Sequence, residues 1–129
     1  MKLYFVIMLG GALGSAARFG LASVIDGKWG TLPWGTFTVN VLGSFLVGFF
    51  MALAGPDGPF MASPVTRAFV AIGILGGFTT FSSFSLQTIM LLQDGEWLWA
   101  AGNVLLTVTL CLLATAGGIA LAGVLPLRS

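Results

Sequence analysis

The chain has 129 residues, of which 57% are hydrophobic and only nine carry charge. An average soluble domain is about 25% charged, and a chain this small leaves about a third of its surface needing polar cover, so a soluble globular domain is excluded. No histidine and a single cysteine, Cys111, exclude an intrachain disulfide framework and a His/Cys zinc site, and a net charge of +1 offers no basic patch for nucleic acid.

Four long apolar runs lie between the charges, at 3–25, 33–54, 68–92 and 98–125. Each exceeds the roughly 20 residues that a helix needs to cross about 30 Å of hydrocarbon. Barrel strands are about 10 residues long and alternate apolar with polar, which these runs do not. Backbone in lipid must satisfy its own hydrogen bonds, so the runs are predicted helices. The fold class is an all-α membrane protein, one four-helix domain over 1–129.

The first run follows Lys2 and contains Gly14-Ser15-Ala16-Ala17, which looks like a signal peptide. Apolar character continues through 19–25, too far for a signal core, so a retained span is expected. Arg18 is the only ionisable group inside a run. It either snorkels or faces the protein interior or a wet vestibule. Asp26-Gly27-Lys28-Trp29-Gly30 reads as a turn cluster, and Trp29 and Trp34 suit the membrane interface.

The second run holds Asn40, which reads either as glue between helices or as an amide donor to an anion. Gly55-Pro56-Asp57-Gly58-Pro59 ends it. Small residues recur at four-residue spacing, as Gly10 with Gly14, Gly11 with Ser15, Ser44 with Gly48 and Ala114 with Gly118. Such pairs let helix backbones approach closely. Four tightly packed helices leave no central route, so a pathway would need an oligomer.

The third run reads Gly73-Ile74-Leu75-Gly76-Gly77-Phe78-Thr79-Thr80-Phe81-Ser82-Ser83-Phe84-Ser85. Adjacent glycines weaken a helix by about 1 kcal/mol each, so the stretch reads either as a midspan break or as a gently kinked helix packed through its glycines. The carbonyls a break frees need partners, either a cation or a facing chain. Phe81 and Phe84 fall on one helix face, with serines beside them. Aromatic edges carry partial positive charge and hydroxyls donate, so this stretch reads either as suited to an anion or as ordinary lipid-facing or core rings. Asp94-Gly95-Glu96 leads to the fourth run, which carries Thr107, Thr109, Cys111 and Thr115.

Both termini fall on one side. Lys2, Arg67 and Arg128 lie there, against Lys28 and, near its span end, Arg18. That bias is small. It allows insertion in both orientations with antiparallel pairing, or one orientation, and charge counting leaves both open.

These residues resemble the Fluc (CrcB) fluoride channel family. The matching stretches are Gly10 through Arg18, Trp34-Gly35-Thr36-Phe37-Thr38-Val39-Asn40, and Gly73 through Ser85. The resemblance implies a dual-topology homodimer in the bacterial inner membrane with two antiparallel fluoride pores. It implies a central structural sodium ion on the carbonyls of Gly76 and Thr79, and Phe81, Phe84, Asn40, Ser82, Ser83 and Thr115 along the fluoride path. Arg18 matches the vestibule arginine. Gln87 stands where related chains often carry glutamate, and Cys111 where a hydroxyl is common. The implied function is passive fluoride export, undoing the trapping of hydrogen fluoride that enters neutral and dissociates inside.

Two rivals stand beside it. A small proton-coupled drug exporter needs an acid within the membrane, and no Asp or Glu lies in any run. A non-conducting scaffold explains the glycines but not the clustering of hydroxyls and phenylalanines. An enzyme is not expected, since no nucleophile–base pair is available without histidine or in-span acids.

Overall fold

A computed structural model describes residues 1–29 and 32–127, without the side chain of Trp29. Those residues form only helices and connecting turns. Helix α1 is Lys2–Trp29, α2 is Trp34–Ala54 and α5 is Trp97–Val124. The third span is divided. Its first part, α3 at 64–78, opens with the α-turn Pro64–Arg67, widens into a π-wound stretch Ala68–Leu75 and closes with Gly76–Phe78. Its second part, α4, is Phe81–Gln93. The chain is an all-α membrane protein whose four spans are long and apolar enough to cross a bilayer, with the third span bent.

Glycines set the helix pairing. A methyl group on Gly77 would come within 2.7 Å of Gly11 O, and one on Gly73 within 2.9 Å of Gly10 Cα, so α1 and α3 meet backbone to backbone. On the other side, a methyl on Gly118 would lie 2.8 Å from Phe49 N, and one on Gly48 would strike Thr115 O, joining α2 to α5. Dispersion and close backbone contact drive such packing where water supplies no hydrophobic force.

The interior is correspondingly thin. Val39, Ala68, Leu75, Phe78, Phe84 and Ala100 are buried, while Leu13, Phe19, Leu98 and Leu112 are exposed. Apolar surface on this scale suits lipid or another protein chain.

The expected turn at Asp26–Gly30 is not a turn over its first part. Asp26, Gly27 and Lys28 belong to α1. The reason is tertiary: Asp26 Oδ1 accepts the Gly35 N–H at 2.9 Å. The carboxylate thus caps α2, whose own cap position is Pro33 and supplies no side-chain acceptor. Gly30, and the interface role read for the Trp29 side chain, lie outside the described residues, as does Arg128. After α4 the chain turns through Gly95 at φ 77°, where Gly95 N donates to Leu92 O at 3.1 Å and Glu96 N to Leu91 O at 2.8 Å. That is the Schellman closure, and it favours glycine at the left-handed position.

Candidate functional site

Within the stretch from Gly76 to Thr80, the break in the third span falls at the threonines. Gly76 and Gly77 remain helical, and the chain becomes extended at Thr79 (φ −86°, ψ 159°) and Thr80 (φ −153°, ψ 117°). Threonine's β-branched side chain favours such conformations. The glycines serve the packing of α3 instead, Gly77 against α1.

Each backbone group freed at Thr80 finds a partner. Asn40 Oδ1 accepts the Thr80 N–H at 2.7 Å, and Asn40 Nδ2 donates to Thr80 O at 3.0 Å. The Thr80 hydroxyl accepts the Ser83 N–H at 3.2 Å and caps α4. It also lies 3.2 Å from Ser83 Oγ and 3.3 Å from Ser82 Oγ. Thr79 ends α3, with its N–H and its hydroxyl each donating to Leu75 O at 3.1 Å. Helix α2 reaches the break through Gly43, where a methyl would meet Thr79 Cγ2 and stand 3.2 Å from the Phe78 ring.

These bonds divert donors from α3. In an unbroken helix Thr80 N would bond to Gly76 O, and Ser83 N to Thr79 O. Both donate elsewhere. The end of α3 therefore presents carbonyls at the negative end of its dipole, and the start of α4 presents N–H groups at the positive end of its own. Opposite helix ends meet at one point, suiting a cation on one side and an anion on the other.

Beside the break lies a groove of about 340 Å³. Asn40 and Gly43 of α2, Leu75 and Gly76 of α3, Thr79 and Thr80, Phe81 and Phe84 of α4, and Thr107 and Cys111 of α5 line it. The two rings are 5.5 Å apart at their centroids and tilted by 51°. Phe84 is 8% exposed and Phe81 is 76% exposed, so one ring is set in the wall and the other stands at the open side.

Of the residues singled out from the sequence, Gly76, Thr79, Phe81, Phe84 and Asn40 come together in this groove. Ser82 and Ser83 lie at the first turn of α4, gathered on the Thr80 hydroxyl, and do not line it. Thr115 does not line it either. Its hydroxyl is directed into the contact of α2 with α5, 3.0 Å from Ser44 O and 3.1 Å from Cys111 O. Arg18 is half-buried on α1, away from the groove lining. Asn40 fastens α2 to the break through both ends of its amide. Thr107 and Cys111, named from the sequence only as polar residues of the fourth run, stand in the wall; Thr80's part as hub and Asn103 behind the wall were not read from the sequence as site residues. Asn103 stands out in the sequence only as a third amide within the apolar runs, after Asn40 and Gln87.

The profile of the CrcB-like protein family (Camphor Resistance, CrcB) matches residues 5–119. A protein of Opitutus terrae named fluoride-specific ion channel FluC is 55% identical over 115 residues, covering 88% of this chain and 87% of that one. Its namesake in Methylocella silvestris is 54% identical over 112 residues, 86% of each chain. Another in Rhodospirillum rubrum is 49% identical over 111 residues, 85% of this chain and 86% of that one. With a match this long and a third span broken at its motif, the chain belongs to the Fluc/CrcB family.

Proposed function

We propose that the chain conducts fluoride passively across the bacterial plasma membrane, as a homodimer of antiparallel copies with two pores. The observation that carries this is the meeting of helix ends at Thr79–Thr80 beside the Phe81–Phe84 groove. The relatives' shared name agrees with it. This is transport rather than catalysis.

Fluoride is small and strongly hydrated, so a path must replace its water shell yet release it. The start of α4 offers the positive end of a helix dipole, and the rings offer their edges. Asn40 serves as donor too: its Nδ2 carries two protons, and Thr80 O takes one. Ser82 and Ser83 add hydroxyls at the same turn. Arg18 draws anions toward the mouth. Thr115 serves the path indirectly, by holding α2 to α5.

The groove is open along one side, where Phe81 stands exposed. A second copy laid antiparallel would cover that ring and close the groove against lipid. The weak charge bias between the two membrane faces permits this orientation.

A sodium ion fits the carbonyls of Gly76 and Thr79, which have lost their helical donors at the end of α3. Two copies would supply four oxygens. When bound, the ion supplies positive charge that ties the two broken helices together.

The experiment is ion efflux from liposomes holding the purified protein, with and without external sodium. Fluoride efflux far above chloride, weakened when sodium is withdrawn, is expected. Absent fluoride efflux, or chloride efflux equal to it, defeats the channel reading; indifference to sodium defeats the metal site.

A further inference from the structure

Helix α4 begins at a break, so no continuous helix holds its upper end in register. Its first attachment is the Thr80–Asn40 pair. A second lies two turns further on. The Thr88 hydroxyl donates to Phe84 O at 2.7 Å and accepts a proton from Asn103 Nδ2 of α5 at 2.9 Å. Asn103 Oδ1 in turn accepts the Thr107 hydroxyl at 3.2 Å. Thr80, Phe84 and Thr88 are spaced by four residues, share one face and are all buried. Phe84 therefore sits midway between two polar anchors, one on α2 and one on α5. Among the described residues, Thr88–Asn103 is the only side-chain hydrogen bond joining α4 to α5.

We infer that Asn103 and Thr88 form a clasp that sets the position of Phe84, which makes them positioning residues for the ion path. The inference rests on the channel reading, because the place of Phe84 matters to transport only if that ring lines the route. Asn103 is absent from the groove lining, and its amide is turned to Thr88 and Thr107. It therefore acts through Thr88 rather than on an ion. A threonine hydroxyl bonded to the carbonyl four residues back bends its helix slightly. Here the turn bonded in this way is the one that carries Phe84, and Asn103 donates to the same hydroxyl. Buried polar chains of this kind hold one arrangement against alternatives, since water is absent to take over any member.

The test uses the full-length protein with 4-fluorophenylalanine at position 84, read by fluorine NMR in micelles, and unlabelled protein for fluoride efflux from liposomes. The variants are Thr88→Val, Thr88→Ser, Asn103→Leu and the pair Thr88→Val with Asn103→Leu. Thr88→Val and Asn103→Leu are expected to shift the fluorine resonance in the same direction and to lower efflux about tenfold, the scale of one lost buried hydrogen bond. Thr88→Ser, which keeps the hydroxyl, is expected to retain the parent resonance and efflux. The double variant is expected to match the worse single one to within about twofold, as two ends of one interaction should. A parent-like resonance in Thr88→Val, a Thr88→Ser protein as impaired as Thr88→Val, or losses that multiply in the double variant would overturn the clasp. If Asn103→Leu does not assemble, the Thr88→Val and Thr88→Ser pair decides alone. If the parent carries no fluoride, the channel reading fails while the resonances still judge the clasp.

Discussion

Asn40 holds both backbone polar atoms of Thr80, accepting its N–H at 2.7 Å and donating to its C=O at 3.0 Å. A side chain of α2 thus takes the place that the next turn of helix would occupy, and this is what lets the third span stop and restart inside a membrane. An unpaired buried backbone group costs about 1–3 kcal/mol, so two would make the break untenable.

Replacing Asn40 with alanine is therefore expected to remove about 2–6 kcal/mol of stability, two such groups at about 1–3 kcal/mol each, unless the break refolds toward continuous helix. Fluoride efflux should fall to background in either event. Asn40→Asp keeps the acceptor and loses the donor, so it should fold better than Asn40→Ala and still fail to conduct. Denaturation in detergent and liposome efflux, taken on the same preparations, check both statements.

Phe81 and Phe84 should separate by stability. Phe84 is buried, and truncating a buried phenylalanine to alanine costs about 3–5 kcal/mol. Phe81 is exposed within one copy, so Phe81→Ala should leave the fold of the single chain nearly unchanged while weakening self-association and fluoride efflux. The doubly substituted Phe81→Ile, Phe84→Ile protein should assemble and not conduct. Cross-linking in membranes together with efflux reads all three.

Neighbouring glycines on α5 should respond oppositely to alanine. A methyl on Gly117 meets open space, whereas one on Gly118 would lie 2.8 Å from Phe49 N of α2. Gly118→Ala should lower stability by about 1–3 kcal/mol through overpacking. Gly117→Ala should be neutral or stabilising by up to about 1 kcal/mol through helix propensity. Thermal unfolding in micelles compares the two directly.

Asp26 should behave as a cap although it lies on a different helix from the one it caps. Asp26→Ala is expected to cost about 0.5–2 kcal/mol, as loss of an ordinary cap does. Asp26→Asn retains an acceptor for the Gly35 N–H and should recover most of that. The same unfolding measurement ranks parent, Asn and Ala.

The sequence by itself determined the parts of this protein that depend on transfer from water to hydrocarbon. Nine charges in 129 residues, set between four long apolar runs, leave helical spans as the way to satisfy the backbone. The uncommon run from Gly73 to Ser85 marked the third span as interrupted for the same reason: it gathers residues that weaken a helix. What local chemistry could not decide was where the helix would stop and which face each helix would turn to its neighbour. Gly76-Gly77 looked like the weak point, yet both stay helical, because Gly77 sits against Gly11 of α1. Of the two pairs in that stretch, it is Thr79–Thr80 that leaves the helix, where Asn40, 40 positions away in the chain, supplies the missing partners. Asp26 read as a loop residue until the N-terminus of α2 came within reach of its carboxylate. Thr115, placed on the path by resemblance, has its hydroxyl 3.0 Å from Ser44 O of α2, a contact that its own helix does not foretell. In each case a partner distant in sequence and near in space outweighed a local preference, since a buried hydrogen bond or a backbone contact in lipid outweighs the propensity of any one residue.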